Sequence, residues 1–152
     1  AVMTSLQSFR QLPHRMEPVG EFAGRSWYDD SISTIPEAAI QALESIPGVR
    51  AILIGGMDRG IDYGILEDYM RAHPDREFIC MYATGNRICK ELCALPENVH
   101  QVENLDEAVA EALRVTKPGD GIVLSPAAAS YGYFKNFEER GEVFKGLVKG
   151  LR

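Results

Sequence analysis

Basic charge, cysteine and histidine are all scarce in this 152-residue chain. Lysine and arginine number 16 against 22 aspartates and glutamates, a formal net charge of −6. An acidic surface repels phosphate backbones and anionic lipids, which argues against general nucleic-acid binding and polybasic membrane attachment. No run approaches the roughly 18 apolar residues of a membrane span, so no membrane insertion is expected. The opening AVMTSLQSFRQLPHR is polar and has no apolar h-region, so a secretory leader is not expected and a cytoplasmic location is. The three cysteines, Cys80, Cys89 and Cys93, are too few and odd in number for a disulfide framework. Cys89 and Cys93 are spaced to share a helix face, but no second pair completes a zinc site. His100, the nearest histidine, lies beyond Pro96, so reduced and partly buried thiols are expected and no metal site is assigned. His14, His73 and His100 stand in unrelated contexts, which leaves no credible Ser/His/Asp arrangement. Neither GxxxxGK[ST] nor GxGxxG is present, so the chain has no nucleotide-phosphate loop of its own.

What is present is an ordinary soluble composition, 45% hydrophobic and 25% charged, with enough length for one domain and its core. Strand-like and helix-like segments alternate. Residues 16–22 and 25–28 read as short strands around Gly24. Thr34-Ile35-Pro36-Glu37 reads as a capping box opening a helix to about Ile46. Val49 to Ile54 is an apolar strand ending in Gly55-Gly56, with a helix from about Tyr63 to Ala72. A strand over Glu77 to Tyr82 ends in Thr84-Gly85-Asn86 before a short helix, and a brief strand lies near Val99–Val102. Asn104, with Glu107 three residues on, caps a helix whose Leu105, Ala108, Val109, Ala112, Leu113 and Thr116 share one face. The turn Lys117-Pro118-Gly119-Asp120 leads to a last strand over 121–124, and a final helix spans roughly 137–151. This is an α/β, Rossmann-like pattern with a mostly parallel sheet flanked by helices, plus an appended helix at 3–11.

Ligands of open parallel sheets bind at the carboxyl ends of the strands. Four loops meet that description: residues 29–34, Gly55 to Gly60, Thr84-Gly85-Asn86, and Ser125 to Ser130. Glycine and other small residues there let backbone amides approach a ligand, and helix N-termini behind them favour an anion. Each piece also has a plain reading. Thr34 is first a helix cap, Gly55-Gly56 a turn, and Arg59 a solvated cation. Asp29 and Asp30 are adjacent on an extended segment and point to opposite faces, so one is expected to be a surface charge and a catalytic carboxylate pair is not expected. Pro126-Ala127-Ala128-Ala129 suits a close helix–sheet crossing, and Tyr131, Tyr133, Phe134 and Phe137 suit the core.

Leu12-Pro13-His14-Arg15 before a hairpin, Asp30-Ser31 with Thr34, Gly55-Gly56, and the block from Ser125-Pro126-Ala127 to Phe134-Lys135-Asn136-Phe137-Glu138-Glu139-Arg140-Gly141 resemble the C-terminal domain of the Mur ligases. The likeness runs the length of the chain and is strongest toward the branch that adds glutamate to UDP-N-acetylmuramoyl-L-alanine in peptidoglycan synthesis. It implies that residues 1–12 are the end of a preceding central domain or a linker helix, and 13–152 the amino-acid-binding domain. The N-terminal domain would hold the UDP-sugar and the central domain ATP, with its P-loop, and Mg2+. The C-terminal domain would bring the amino acid and close over the nucleotide, swinging about a hinge near Leu12-Pro13-His14.

The resemblance further implies an ADP-forming reaction through an acyl phosphate, with no catalytic residue in this domain and no activity of the domain alone. It places Arg15 and Asp30 against the nucleotide, and Thr34, Arg59, Ser130, Tyr131 and Phe137 against glutamate. Two carboxylates on that substrate call for a cation and several neutral donors. Two departures stand out: Ile32 replaces a common lysine, and Met57-Asp58 replaces a common Asp-Gly. The family pattern also has lysine where Arg59 stands. These departures leave the ligase class standing but leave open the amino acid and its D or L configuration; a related ligase with a different acceptor and a non-catalytic binding module are the alternatives.

Overall fold

The computed structural model describes residues 14–151. The expected helix at 3–11 and the Leu12-Pro13 part of the expected hinge lie outside them. Strand β1 (Glu17–Phe22) turns antiparallel into β2 (Arg25–Asp29) through Ala23 and Gly24, whose φ angles of 55° and 79° reverse the chain. Strands β3 (Val49–Gly55), β4 (Glu77–Met81), β5 (Val99–Gln101) and β6 (Gly121–Leu124) are parallel to β2. The sheet order is β1-β2-β6-β3-β4-β5, so β6 inserts between β2 and β3 and makes the carboxyl ends of those three strands neighbours.

Helices α1 (Pro36–Ser45), α2 (Gly64–Ala72) and α3 (Tyr82–Leu92) cover one face, and α4 (Leu105–Val115) and α5 (Phe137–Lys149) the other. Strand periodicity sorts the core between them. Ile52 and Ile54 of β3 join Ala42, Leu43, Leu66, Met70 and Ile88 on the first side. Ala51 and Leu53 join Leu105, Val109, Phe144 and Trp27 on the second. Ala51 to Ile54 are wholly buried, as the apolar run of a central parallel strand requires.

The expected cap at Asn104 is present: Glu107 N–H donates to Asn104 Oδ1 at 2.9 Å, and Glu103 N–H to Glu107 Oε1 at 2.9 Å. Asn136 and Glu139 repeat the device at α5, with bonds of 2.8 Å to Asn136 Oδ1 and from Lys135 N–H to Glu139 Oε1. The expected cap at Thr34 is not present. α1 starts at Pro36, Ile35 occupies the cap position at φ −131° and ψ 154°, and no side chain caps the helix. A proline excludes the α conformation from the residue before it and lacks the N–H a cap would engage, so Ile35 cannot be helical and Thr34 falls one position outside.

Thr84-Gly85-Asn86 is likewise helix and not loop, because α3 begins at Tyr82 directly after β4. A β-carbon on Gly85 would lie 2.6 Å from the Cys80 carbonyl carbon, so glycine allows the helix to double back against its own strand. No helix among the described residues is long and apolar enough to cross a membrane.

Candidate functional site

The loops that leave β2, β3 and β6 meet at the carboxyl edge of the sheet, and backbone bonds fuse them. Gly55 N–H donates to Pro126 O at 2.9 Å, and Met57 N–H to Ala129 O at 2.9 Å. At Gly56 this contact leaves no room for a side chain, and at Gly55 the end of neighbouring β4 leaves none. Gly55 has φ 137°, and an added β-carbon would lie 1.9 Å from Met81 O; at Gly56 it would lie 2.4 Å from Ala129 O. From α3, Thr84 Oγ1 donates to Met57 O at 2.9 Å, and from the foot of α2 Tyr63 Oη donates to Ala127 O at 2.5 Å. Residues Ser125 to Ser130 are all buried, so the small-residue run is both a packing device and a backbone edge.

Arg140 locks the remaining loop to these. Its guanidinium is wholly buried and donates from Nη1 to Ala128 O at 2.9 Å, from Nη2 to Ser31 O at 2.7 Å and from Nε to Ser31 Oγ at 3.1 Å. Ser31 Oγ in turn donates to Phe137 O at 2.6 Å. Burial lowers the Arg140 pKa to about 10, and among the described residues no carboxylate lies within ion-pair distance of it. The residue is therefore a buried cation held by neutral acceptors. In the sequence it stands at the end of a charged run, Glu138-Glu139-Arg140, at the start of the last helix. The available signal was its sign: a cation near a helix N-terminus opposes the macrodipole and needs some other reason to be there.

Both adjacent aspartates are buried, which overturns the expectation that one is a surface charge. They do point opposite ways. Asp29 Oδ2 meets His14 Nδ1 at 2.6 Å while its Oδ1 accepts Ser31 N–H at 2.9 Å. Asp30 accepts Ser125 Oγ–H at 2.7 Å and Met16 N–H at 3.1 Å. Burial raises both pKa values, Asp30 to about 6, against the lowering effect of those hydrogen bonds.

Two concavities flank the fused loops. One, of about 250 Å³, is lined by Arg15, Asp30, Ile32, Thr34, Ile35 and Gln41 among others. The second, of about 410 Å³, is lined by Met57, Asp58, Ala83, Tyr131, Gly132 and Tyr133. Arg15, Asp30 and Thr34 are thus together, with the Thr34 hydroxyl free of capping duty. Tyr131 lies in the second pocket beside buried Ser130. Arg59 is exposed on the loop next to Asp58 and makes no hydrogen bond or ion pair among the described residues.

Phe137 stands apart from both pockets, its ring edge-on to His14 at 6.0 Å. Tyr131 and Tyr133 are 59% and 42% exposed, where packing beneath the loop was expected; Tyr133 instead stacks on Tyr82 at 4.1 Å and accepts Ala83 N–H at 3.1 Å. Cys80 and Cys89 are buried and Cys93 is exposed, all as free thiols.

A family model described as Mur ligase, glutamate ligase domain, matches residues 14–128. A UDP-N-acetylmuramoylalanine--D-glutamate ligase of Geotalea uraniireducens (strain Rf4) is 38% identical over 149 residues, covering 98% of this chain and 32% of its own length. Its namesake from Latilactobacillus sakei subsp. sakei (strain 23K) is 39% identical over 153 residues, covering 99% and 33%. A UDP-N-acetylmuramoyl-L-alanine--L-glutamate ligase of Salinispora tropica is also 39% identical, over 147 residues, covering 95% and 33%. The chain therefore spans about a third of the length of these relatives.

Among solved structures, the murein peptide ligase of Psychrobacter arcticus 273-4 superposes with a TM-score of 0.59 at 15% identity, over 92% of this chain and 31% of its own. The MurF ligase of Thermotoga maritima, solved in complex with ADP, gives 0.55 at 17% identity, over 97% and 36%. These likenesses are of fold.

Proposed function

The chain belongs to the glutamate ligase domain family of the Mur ligases, and from that premise we propose that it is the amino-acid-delivering domain of an ATP-dependent ligase of peptidoglycan synthesis. In the whole enzyme the carboxylate of UDP-N-acetylmuramoyl-L-alanine takes the γ-phosphoryl group of ATP, releasing ADP. The amine of glutamate then attacks the acyl phosphate, phosphate leaves, and an amide forms. Residues 13–152 constitute the delivering domain and 1–12 its link to a central domain that carries ATP, Mg2+ and a P-loop. The reaction takes place in the cytoplasm.

The observation that carries the reading is Arg59, exposed next in the chain to Asp58 of the second pocket's wall and, among the described residues, without a hydrogen bond or ion pair. A cation that makes no contact of its own is available to a substrate carboxylate, and a guanidinium offers it a bidentate grip. Tyr131 lines that pocket and Ser130 precedes it in the chain, and these two are proposed as the neutral donors to the same substrate. Thr34 lies by the other pocket, with Arg15 and Asp30. Asp30 and Arg15 line one pocket and suit a nucleotide: a carboxylate can accept hydrogen bonds from ribose hydroxyls, and a guanidinium can meet phosphate.

The described residues do not fit a magnesium ion. His14, Glu17 and Asp29 cluster, but Lys145 Nζ already lies 3.0 Å from Glu17 Oε1 and Oε2 and 3.9 Å from Asp29 Oδ2. The proposed Mg2+ site is accordingly assigned to the central domain.

The proposed amino acid is D-glutamate, the substrate named for the Geotalea and Latilactobacillus relatives; L-glutamate is the second reading, since the Salinispora relative matches equally well. Phosphate release by the full-length parent, assayed with D-Glu, L-Glu, D-Asp and L-Asp, tests this. Release dependent on D-Glu supports the first reading and on L-Glu the second. Release with neither glutamate overturns both.

A further inference from the structure

Arg87, midway along α3, supports the loop that carries Arg59. Its Nη2 donates to the Ile61 carbonyl, its Nη1 lies 3.4 Å from Asp58 Oδ1, and its guanidinium sits 5.0 Å from the centroid of the Tyr63 ring. Asp58 Oδ1 also accepts Gly60 N–H at 3.0 Å, closing an Asx-turn around Arg59. The residues on both sides of Arg59 are therefore fixed from α3, while Arg59 itself makes no hydrogen bond or ion pair among the described residues. Tyr63 extends the support, since the hydroxyl of the same ring holds Ala127 O at 2.5 Å.

We infer that Asp58 and Arg87 are positioning residues that set the affinity for the incoming amino acid by holding the Arg59 loop in its binding shape. The inference rests on the glutamate-site reading above. A loop fixed before the substrate arrives loses no conformational freedom on binding, so its ordering does not subtract from affinity. Asp58 supplies both the turn acceptor and the carboxylate that Arg87 meets. A lysine at position 87 would not replace the arginine, because a single ammonium cannot pair with Asp58, bond to Ile61 O and lie over Tyr63 together.

The test is steady-state kinetics of the full-length ligase with glutamate varied at saturating ATP and UDP-sugar. R59A is expected to raise the glutamate KM about tenfold. R87Q and D58A should each raise it about three- to tenfold, with kcat and the ATP KM within about twofold of wild type. R87K should recover only part of the loss, and R87Q should add nothing in the R59A background, because both act on one contact. If R59A raises the KM but R87Q and D58A do not, the positioning role is overturned while the glutamate site stands. A full R87Q effect on top of R59A also overturns it, since that is the mark of general structural damage. An unchanged KM in R59A removes Arg59 from the glutamate site, and this inference falls with it.

Discussion

Gly141 of α5 lies directly over His14: a β-carbon there would sit 2.3 Å from His14 Nδ1 and 2.5 Å from Asp29 Oδ2. The helix thus closes on the His14–Asp29 pair with no room for one more atom. On an exposed helix, alanine in place of glycine stabilises by about 1 kcal/mol. Here the sign should reverse, and G141A is expected to destabilise the domain by about 2–4 kcal/mol through overpacking and disruption of a buried pair. Urea denaturation of the chain measures it, and an unchanged or higher midpoint would contradict the contact.

Arg140 makes a second prediction about stability. R140A leaves the carbonyls of Ala128 and Ser31 buried without their donor. Each such loss is worth about 1–3 kcal/mol, so a total of about 3–5 kcal/mol is expected. R140K should recover little, because an ammonium lacks the planar fork that spans both carbonyls and Ser31 Oγ. Full rescue by lysine, read from the same denaturation curves, would show that charge alone is what matters.

Caps separate two residues that look alike in sequence. N104A should cost about 1 kcal/mol, since the bond to Glu107 N–H is lost. T34A should leave stability within about 0.5 kcal/mol of wild type, because Thr34 caps nothing. Comparable losses at both positions would restore the capping box at Thr34.

The Glu67 carboxyl is pushed up to about 7 by burial and by the neighbouring Glu91. A carboxyl with a raised folded-state pKa favours folding when protonated, so its contribution declines as pH rises from about 4.5 to about 7 and stays low above that. Solvent screening of the pair keeps the effect to about 1 kcal/mol. E67Q should therefore flatten the stability profile between pH 5 and pH 8 and raise stability at the upper end, as thermal unfolding across that range at roughly half-unit steps would show. A variant profile parallel to that of wild type would remove Glu67 as the titrating group.

Much of this architecture is legible in the sequence, because hydrophobic periodicity and helix caps are local signals. Val49 to Ile54 could only be a strand buried on both faces, and Asn104 with Glu107 could only begin a helix. The misreadings share a different cause. Thr34 misled because Pro36 moves the helix start by one residue, which follows from the conformation of Ile35 and not from the spacing of cap residues. Thr84-Gly85-Asn86 looked like a loop because glycine marks turns as often as close crossings, and only the Cys80 backbone shows which applies. One of Asp29 and Asp30 was expected at the surface, and nothing marked Arg140 as buried, because charge predicts solvent unless a partner is known. Their partners, His14, Ser125, Ala128 and Ser31, stand 12 to 109 residues away along the chain. Tyr131 and Tyr133 erred the other way, being read as core from bulk alone.

The bonds from Arg140 to Ser31 and Ala128 also bear on how the site can vary. Gly56 stands against the same guanidinium, with an added β-carbon 3.1 Å from its Nη1. Three loops far apart in the chain thus share one arginine, so no one of them can be altered without shifting the other two. Relatives that differ at position 31, 56 or 128 are expected to differ at position 140 as well. Substrate preference in this fold would then change by coordinated replacement across the three loops, and grafting a single loop from a relative with another amino-acid preference should fail to carry that preference with it.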